Sequence, residues 1–346
     1  MLCSREKCRL GAGRSQLLRV GLLLSAVAVE ANASGVILNT GFESPYSLGP
    51  LQGQFGWLTA GTGASTATVQ NSIVHSGSQA VQVVKAGTPN SDRRWAMPVT
   101  GYPTQRFVIV DWDMRVAPTN HPTAFGPFVG VDTYDADVQP YVLGSLGVDA
   151  TTGDVLYQIQ DTAVLTETGL VINFDQWYHY RLVLDFLTDT YRGYVNGALV
   201  ANTGFPDRGF GLNNFTDADI AALAAAADPA SQSLSASAVF DNFLVRDGIL
   251  GDYDIDGDVD TADYAQWQAT FGDPISPAGN LADGSGNGVV DAADFVTWRK
   301  NLGSSLVSGS GASSAAVPEP MTLLSWLPFA SLVGLTRLRH RRDVAR

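Results

Sequence analysis

Residues 252–263 have the sequence DYDIDGDVDTAD, and residues 283–294 repeat its pattern as DGSGNGVVDAAD. Each copy carries oxygen-bearing side chains at positions 1, 3, 5, 9 and 12 and a glycine at position 6. A calcium ion takes six to eight hard oxygen ligands, and glycine lets the chain turn sharply around the ion. The repeat therefore predicts a pair of calcium-binding loops.

Twelve residues supply the predicted ligands, with one set in each loop. They are Asp252, Asp254, Asp256, Asp258, Asp260 and Asp263 in the first loop, and Asp283, Ser285, Asn287, Val289, Asp291 and Asp294 in the second. Position 7 offers its backbone carbonyl, so aspartate and valine are equally suitable there. Because Ser285 and Asn287 stand where the first loop has carboxylates, we expect weaker calcium binding at the second loop.

Each loop is followed by a segment with one apolar helical face. Helices are predicted over residues 261–271 and 292–302, where Trp267 and Trp298 recur at the same offset from their loops. Position 12 is aspartate rather than glutamate, and no amphipathic helix precedes either loop. In these respects residues 248–303 resemble the dockerin domain, a small α domain made of a duplicated loop–helix unit. So small a unit has little core, and bound metal is expected to supply much of its folding free energy.

The resemblance to dockerins implies a cohesin domain as a partner. The residues that would face it are Thr261, Ala262, Ala292, Ala293, Arg299 and Lys300. The small residues allow close approach, and the basic pair occurs in the second copy alone. Dockerin-like pairs also occur in bacteria without an evident cohesin-based assembly. The cohesin is therefore a hypothesis, and it defines an alternative function as a component of a polysaccharide-degrading assembly.

The first 33 residues have the features of a secretory signal peptide. Basic residues precede an apolar run at residues 20–29, and Ala31-Asn32-Ala33 offers small residues where a signal peptidase cleaves. A membrane-spanning helix is the alternative, but this run is too short to cross about 30 Å of hydrocarbon. Both cysteines, Cys3 and Cys8, lie in this segment. We therefore expect a mature protein without disulfides. In such a secreted protein, bound metal is expected to provide the stabilisation that disulfides usually give.

A second targeting signal is predicted at residues 317–346, after a Ser/Gly/Ala-rich linker at residues 304–316. The motif Pro318-Glu319-Pro320 precedes a short apolar stretch, 321–336, and a basic end. This order resembles the bacterial PEP-CTERM sorting signal. The resemblance implies recognition by a membrane exosortase, transient anchoring through residues 321–336 as a short transmembrane segment, and removal of the tail. An ordinary membrane anchor is the alternative. In either case we expect an exported protein at the cell surface, the outer membrane or the extracellular matrix.

The charge pattern argues against a nucleic-acid partner. The whole chain has a net charge of −13, and many of its 21 basic side chains lie in the two terminal segments. Residues 34–316 contain 30 acidic and 11 basic side chains. Such a surface repels nucleic acids and acidic polysaccharides unless divalent cations intervene.

Residues 34–247 have the alternation and β-branched content of an antiparallel β domain. Strands are predicted at residues 107–116, 128–133, 141–148, 155–160, 177–186, 191–195 and 236–246. Asn196-Gly197 predicts a hairpin turn, and the alanine-rich residues 218–227 predict a short surface helix. The expected fold class is mainly β: a two-sheet antiparallel jelly-roll sandwich followed by the small α dockerin-like domain.

Two neighbouring stretches, WYHYRLVLD at residues 177–185 and YRGYVNG at residues 191–197, resemble concanavalin-like and laminin-G-like sandwiches. That resemblance implies a glycan or exopolysaccharide as a partner. Trp57, Trp95 and Trp112 are either exposed in a glycan-binding groove or packed in the core, and the sequence does not distinguish the two arrangements. The expected function is thus an exported, calcium-binding, non-catalytic protein whose sandwich binds a glycan or is structural.

A glycan-active hydrolase or lyase is the alternative. Asp111 and Asp113 have the two-residue spacing that places two carboxylates on one strand face, as glycosidic cleavage requires. Glutamate is absent from both positions, no third carboxylate follows, and the histidines lack metal-ligand spacing. We expect both carboxylates to face solvent while Trp112 packs inward.

A third calcium site is expected where the two ends of the sandwich meet. The stretches NTGFE at residues 39–43 and FDNF at residues 240–243 resemble the terminal strands of carbohydrate-binding jelly rolls. In those folds an early glutamate and a late aspartate share a structural calcium, which implies Glu43 and Asp241 as ligands. The alternative is that Glu43 caps a turn and Asp241 is an edge residue.

Overall fold

The computed structural model of the chain describes residues 36–99, 106–119, 125–136, 139–162, 164–225, 229–275, 279 and 281–305. The predicted signal peptide, sorting signal and membrane segment all lie outside these residues. So does the predicted linker, apart from Ser304 and Ser305.

Sixteen strands and two α-helices lie in the described part of the chain, together with two short 3-10 helices. The strands are β1 (Val36–Thr40), β2 (Gly49–Pro50), β3 (Leu58–Gly61), β4 (Thr66–Gln70), β5 (Ala80–Lys85), β6 (Arg93–Ala96), β7 (Phe107–Val116), β8 (Phe128–Asp135), β9 (Tyr141–Asp149), β10 (Asp154–Gln158), β11 (Leu165–Val171), β12 (Trp177–Asp185), β13 (Thr190–Val195), β14 (Ala198–Gly204), β15 (Asp217–Leu223) and β16 (Ala236–Asp247). The helices are α1 (Thr261–Thr270) and α2 (Ala292–Asn301).

Two antiparallel sheets form a sandwich, which confirms the predicted fold class for the large domain. The first sheet has the order β14-β13-β12-β7-β16-β5-β4-β2, and β1 also pairs with β16. The second sheet has the order β11-β10-β9-β8-β15-β6-β3. Every pair among these described strands is antiparallel.

Strand β7 shows how alternation builds the core. Val108, Val110 and Trp112 are fully buried between the two sheets. Because successive side chains of a strand point to opposite faces, Asp111 and Asp113 lie on the outer face of the same sheet. This strand has the bounds predicted from the sequence, and the other six predicted strands differ from the observed ones by one or two residues at their ends.

The helix predicted for residues 218–227 is wrong over its described part. Asp217–Leu223 forms β15, which pairs with β8 on one side and β6 on the other. Ile220, Ala221 and Ala222 are fully buried there. Pairing on both sides and burial on both faces override the helix preference of alanine, which is a weak local term.

Residues 249–305 form a small module with its own core. The buried side chains of this core are Tyr253, Val259, Ala282, Val290 and Trp298. Both helices predicted from the sequence are present, each one residue shorter at its end. The module extends past the predicted boundary, because Ser305 pairs with Asp258. In the described part of the chain, no helix has the length and apolar character that crossing a membrane requires.

The hairpin turn predicted at Asn196-Gly197 connects β13 to β14. Asn196 and Gly197 have φ values of 48° and 78°, as a two-residue type I′ turn requires. A Cβ at Gly197 would meet nothing within 4 Å, so substitution there changes backbone strain alone.

We expect Gly197→Ala to lower the free energy of unfolding by about 1 kcal/mol, because alanine resists a left-handed conformation. Gly209→Ala is the matched control, since that glycine is also unobstructed and does not have a positive φ. Urea denaturation measures both variants. Equal stabilities of the two variants would contradict the turn assignment.

Candidate metal centre

The two halves of the C-terminal module hold each other through reciprocal hydrogen bonds. The indole N–H of Trp267 donates to the carbonyl of Asp291 over 2.8 Å, and that of Trp298 donates to the carbonyl of Asp260 over 2.6 Å. Matching backbone bonds join the end of each helix to the opposite loop. Each loop is thus completed by the other copy, which is a physical reason for the duplication.

The first loop gathers three carboxylates around one point. Side-chain oxygens of Asp252, Asp254 and Asp256 all lie within 4.8 Å of one another. Two oxygens that share a calcium ion at 2.3–2.6 Å are at most about 5 Å apart, so this spacing fits the ion. Gly257 at position 6 has a φ of 104°, which favours glycine. The donor set is entirely oxygen, as calcium requires.

Aspartates at positions 1 and 12 close both loops in the same way. The position 1 carboxylates, Asp252 and Asp283, accept hydrogen bonds from the N–H groups of positions 5 and 6. The position 12 carboxylates, Asp263 and Asp294, are fully buried and accept the N–H groups of positions 3 and 9.

The other predicted ligands lie at the rim of each loop. They are exposed or half-buried: Asp254, Asp256, Asp258 and Asp260 in the first loop, and Ser285, Asn287, Val289 and Asp291 in the second. In addition, Asp260 and Asp291 cap the helices that follow their loops. Among the predicted ligands, the structure gathers the carboxylates of Asp252, Asp254 and Asp256 around one point, and calcium binding by either set stays a prediction.

Crowding raises the pKa of acidic side chains in the first loop. Burial and the charge of Asp263 raise the pKa of Asp252 to about 7, against the opposing charge of Arg246. Burial and the charges of Asp263 and Asp256 raise the pKa of Asp254 to about 6. Like charges held so close destabilise the ionised loop, so a bound cation would stabilise it.

The residues predicted to face a partner protein are exposed. They stand at the first turns of both helices and near the end of α2: Thr261, Ala262, Ala292, Ala293, Arg299 and Lys300. Their exposure leaves this surface accessible to another protein.

Glu43 and Asp241 bind the same loop of the sandwich. Both carboxylate oxygens of Glu43 accept hydrogen bonds from Ser78, so Glu43 caps a turn. Asp241 accepts the N–H groups of His75 and Ser76 over 2.9 and 3.0 Å. It is fully buried in β16, an interior strand, and is therefore not an edge residue. A calcium ion shared by the two carboxylates stays a prediction.

Arginines of the sandwich donate hydrogen bonds to both predicted calcium loops. Arg106 donates to the carbonyl of Gly284 in the second loop over 3.0 Å. Arg181 and Arg246, on β12 and β16, both donate to the carbonyl of Ile255 in the first loop. Four residues, 248–251, separate β16 from the first loop. The short connecting segment and the guanidinium hydrogen bonds thus hold the module against the outer face of the first sheet.

Asp111 and Asp113 lie in a buried ion-pair network, so the expectation that they face solvent is wrong. They are 4% and 6% exposed. The imidazole of His179 lies 3.2 Å from Asp111 Oδ1 and 3.0 Å from Asp113 Oδ1. Arg181 and Arg246 also pair with Asp111. Because these cations cover the carboxylates, the pair is poorly placed to act on a glycosidic bond.

The charges of this network stabilise one another. Hydrogen bonds to Asp111 and Asp113 raise the pKa of His179 to about 9, although burial opposes this. Burial opposes ionisation of both aspartates too, but the hydrogen bonds from His179 and nearby positive charges hold their pKa values below the usual range. No local sequence signal indicates the role of His179, because it pairs with Asp113 across the β12–β7 ladder, 66 residues away in sequence.

Of the two arrangements left open for Trp57, Trp95 and Trp112, the structure shows the buried one. Trp57, Trp95 and Trp112 are at most 1% exposed and belong to the core between the sheets. Trp177 at the start of β12 is half-buried on the outer face, with its ring centroid 5.0 Å from that of His75. Trp177 is therefore more accessible than the three buried tryptophans.

A second polar cluster lies on the outer face of the second sheet. Asp219 on β15 stands directly opposite Asp132 on β8, and Asp132 accepts hydrogen bonds from Arg94 and Tyr134. One carboxylate oxygen of Asp219 has no hydrogen-bond partner, although the residue is only 5% exposed. Burial and the charge of Asp217 raise the pKa of Asp219 well above its usual range. A carboxyl group with a raised pKa thus faces a carboxylate that pairs with Arg94.

Several solved structures are similar to the sandwich at low sequence identity. The cellulose-induced protein Cip1 is 14% identical over 60% of this chain and 96% of its own, with a TM-score of 0.45. An endo-β-1,4-glucuronan lyase from the fungus Trichoderma reesei is 10% identical over 60% of this chain and 97% of its own, with a TM-score of 0.42. A sialidase is 12% identical over 70% of this chain and 22% of its own, with a TM-score of 0.44. No protein-family model and no curated protein matches the sequence.

The raised pKa of His179 predicts a pH dependence of stability. Its contribution is fully present below the unfolded-state pKa of about 6.5 and is lost as the pH rises through about 9. The difference in free energy of unfolding between wild type and His179→Gln should therefore shrink over that interval. Chemical denaturation at a series of pH values measures it. A difference that stays constant across the interval would show that His179 carries no charge in this network.

Proposed function

We propose that the chain is an exported, non-catalytic calcium-binding protein in which a paired calcium module is fixed to a β-sandwich. The observation that carries the proposal is the first loop, where Asp252, Asp254 and Asp256 converge within 4.8 Å beside the left-handed Gly257. The repeat of the same pattern at residues 283–294 supports a second ion. Export, recognition by an exosortase and transient anchoring, inferred from residues 1–33 and 317–346, belong to the same proposal.

The calcium ions would act by neutralising charge. The side chains proposed to hold them are those at positions 1, 3, 5, 9 and 12 of each loop, with the carbonyl of position 7. In the first loop the side chains are all carboxylates, whose mutual repulsion a divalent cation would remove. Because the module has a small core, the ions would supply much of its folding free energy.

Calorimetric titration of the intact chain should resolve two calcium-binding events, the tighter one at the first loop. Asp254→Ala should remove the tighter event and Asn287→Ala the weaker one, because each change deletes one ligand of one loop. Asp273→Ala is the control, since it removes an exposed acidic side chain outside both loops.

Calcium should also raise helicity and protease resistance in the wild type, and chelation should reverse both changes. Absence of any calcium heat, together with an unchanged circular dichroism spectrum, would refute the proposed function.

For the sandwich we propose glycan or exopolysaccharide binding on the outer face of the first sheet. Trp177 and His75 supply an accessible aromatic surface there, and His179 supplies a positive charge beside it. Aromatic rings with adjacent polar groups suit the apolar face and hydroxyl groups of a sugar. The acidic surface elsewhere means that calcium would bridge any acidic polysaccharide.

One alternative function has specific support, and the other does not. Glycan cleavage by a hydrolase or lyase needs accessible carboxylates, but Asp132 and Asp219 on the second sheet are only 4% and 5% exposed, as deeply buried as the pair on the first sheet. A cohesin-docked assembly component would use the six exposed helix residues.

A panel of purified polysaccharides and cohesin domains separates these functions. The proposal predicts binding to a polysaccharide that Trp177→Ala weakens at least tenfold, without release of products. Release of products from any polysaccharide of the panel would establish the enzyme instead. Binding to a purified cohesin that Ala292→Arg abolishes would establish the assembly component.

A further inference from the structure

Ile255 has an unusual backbone conformation at position 4 of the first loop. Its φ is 63°, and among the non-glycine residues with positive φ in the described chain it is the β-branched one. A β-branched side chain crowds its own backbone in the left-handed region, so this conformation needs support from its surroundings.

The second loop shows what the position prefers. Its position 4 is Gly286, with a φ of 75°. Both loops therefore need the same left-handed turn between ligand positions 3 and 5. The second loop meets this need with glycine, at no steric cost. The first loop meets it with isoleucine, and local sequence alone does not stabilise its metal-ready shape.

The support comes from the sandwich. Arg181 Nη1 and Arg246 Nη2 both donate to the carbonyl of Ile255, and charge-assisted hydrogen bonds are among the stronger ones. Both guanidinium groups are fixed in position, because each also forms an ion pair with Asp111. The ion-pair network of the first sheet thus contacts Ile255, the residue of the first loop whose backbone conformation most needs external support.

We infer that the first calcium site is a composite of both parts of the chain, with Arg181 and Arg246 as positioning residues that hold Ile255 in its ligand-ready turn. This inference rests on the proposed function, because it concerns the same calcium loop. It follows that calcium binding and attachment of the module to the sandwich stabilise each other, since both require the same turn.

Arg181 is the better residue to change. Arg246 Nη1 lies 3.9 Å from Asp252 Oδ2, so its removal would also remove a positive charge beside a ligand and confuse the result. Arg181→Gln deletes a guanidinium that contacts Ile255 directly. Arg106→Gln is the matched control, because Arg106 belongs to the same interface but donates to the second loop.

The experiment is a double-mutant cycle in the intact chain. Calorimetric calcium titration compares the wild type, Arg181→Gln, Ile255→Gly and the variant that carries both changes. Arg181→Gln should weaken the first-loop event about tenfold, which corresponds to about 1.4 kcal/mol. In the Ile255→Gly background, where the turn needs no support, the same change should have less than about a threefold effect. The second-loop event should stay unchanged throughout, and Arg106→Gln should leave the first-loop event unchanged.

The outcomes distinguish the inference from the proposed function. An equal effect of Arg181→Gln in both backgrounds would show that the arginine acts by charge or folding and would overturn the inference. No effect in either background would also overturn it. No calcium binding to the wild type would refute the proposed function itself. Because Ile255→Gly leaves the sandwich untouched, it provides a test even if Arg181→Gln does not fold: in the intact chain this variant should bind calcium at the first loop at least as tightly as the wild type. Weaker first-loop binding in Ile255→Gly would overturn the inference.

Discussion

Six aspartates within twelve residues of the first loop impose the constraint on which the rest of this structure depends. Their carboxylates repel one another, and burial adds to the cost of ionising them, so the pKa of Asp252 rises to about 7. A divalent cation is the natural partner for such a set of oxygens. The loop also needs its backbone held in a left-handed turn at Ile255. The turn at Ile255 is held by guanidinium groups outside the loop, which explains why the module lies so close to the sandwich.

The module meets these requirements at two levels. Within it, Trp267 and Trp298 each donate to the loop of the other copy, so neither copy is complete alone. Between the module and the sandwich, Arg181 and Arg246 extend the ion-pair network of the first sheet to the first loop. The second loop has glycine where the first has Ile255 and relies less on the sandwich. The two copies of the repeat therefore differ in how they contact the sandwich, although their sequences follow one pattern.

The sequence contained the information for the local features and much less for the long-range ones. Strand β7, the hairpin at Asn196-Gly197, both helices and the grouping of the loop ligands follow from spacing that is visible in the chain. Strand β15 was predicted wrongly because alanine favours helices locally and its strand partners are distant in sequence. The network of Asp111 and His179 was missed because pairing across strands unites residues that no local motif connects. Short strands such as β2 and β3 lack a long enough alternation to be recognised.

Hydrogen–deuterium exchange of the intact chain, compared with calcium and with chelator, tests the central claim most directly. The account predicts that calcium protects amides of residues 252–263 and 283–294 and also those of β7, β12 and β16 around Asp111, Arg181 and Arg246. Protection of those strands should be weaker in Arg181→Gln. Protection confined to residues 252–303, with no change in the sandwich, would contradict the claim that the first calcium loop and the sheet act as one unit.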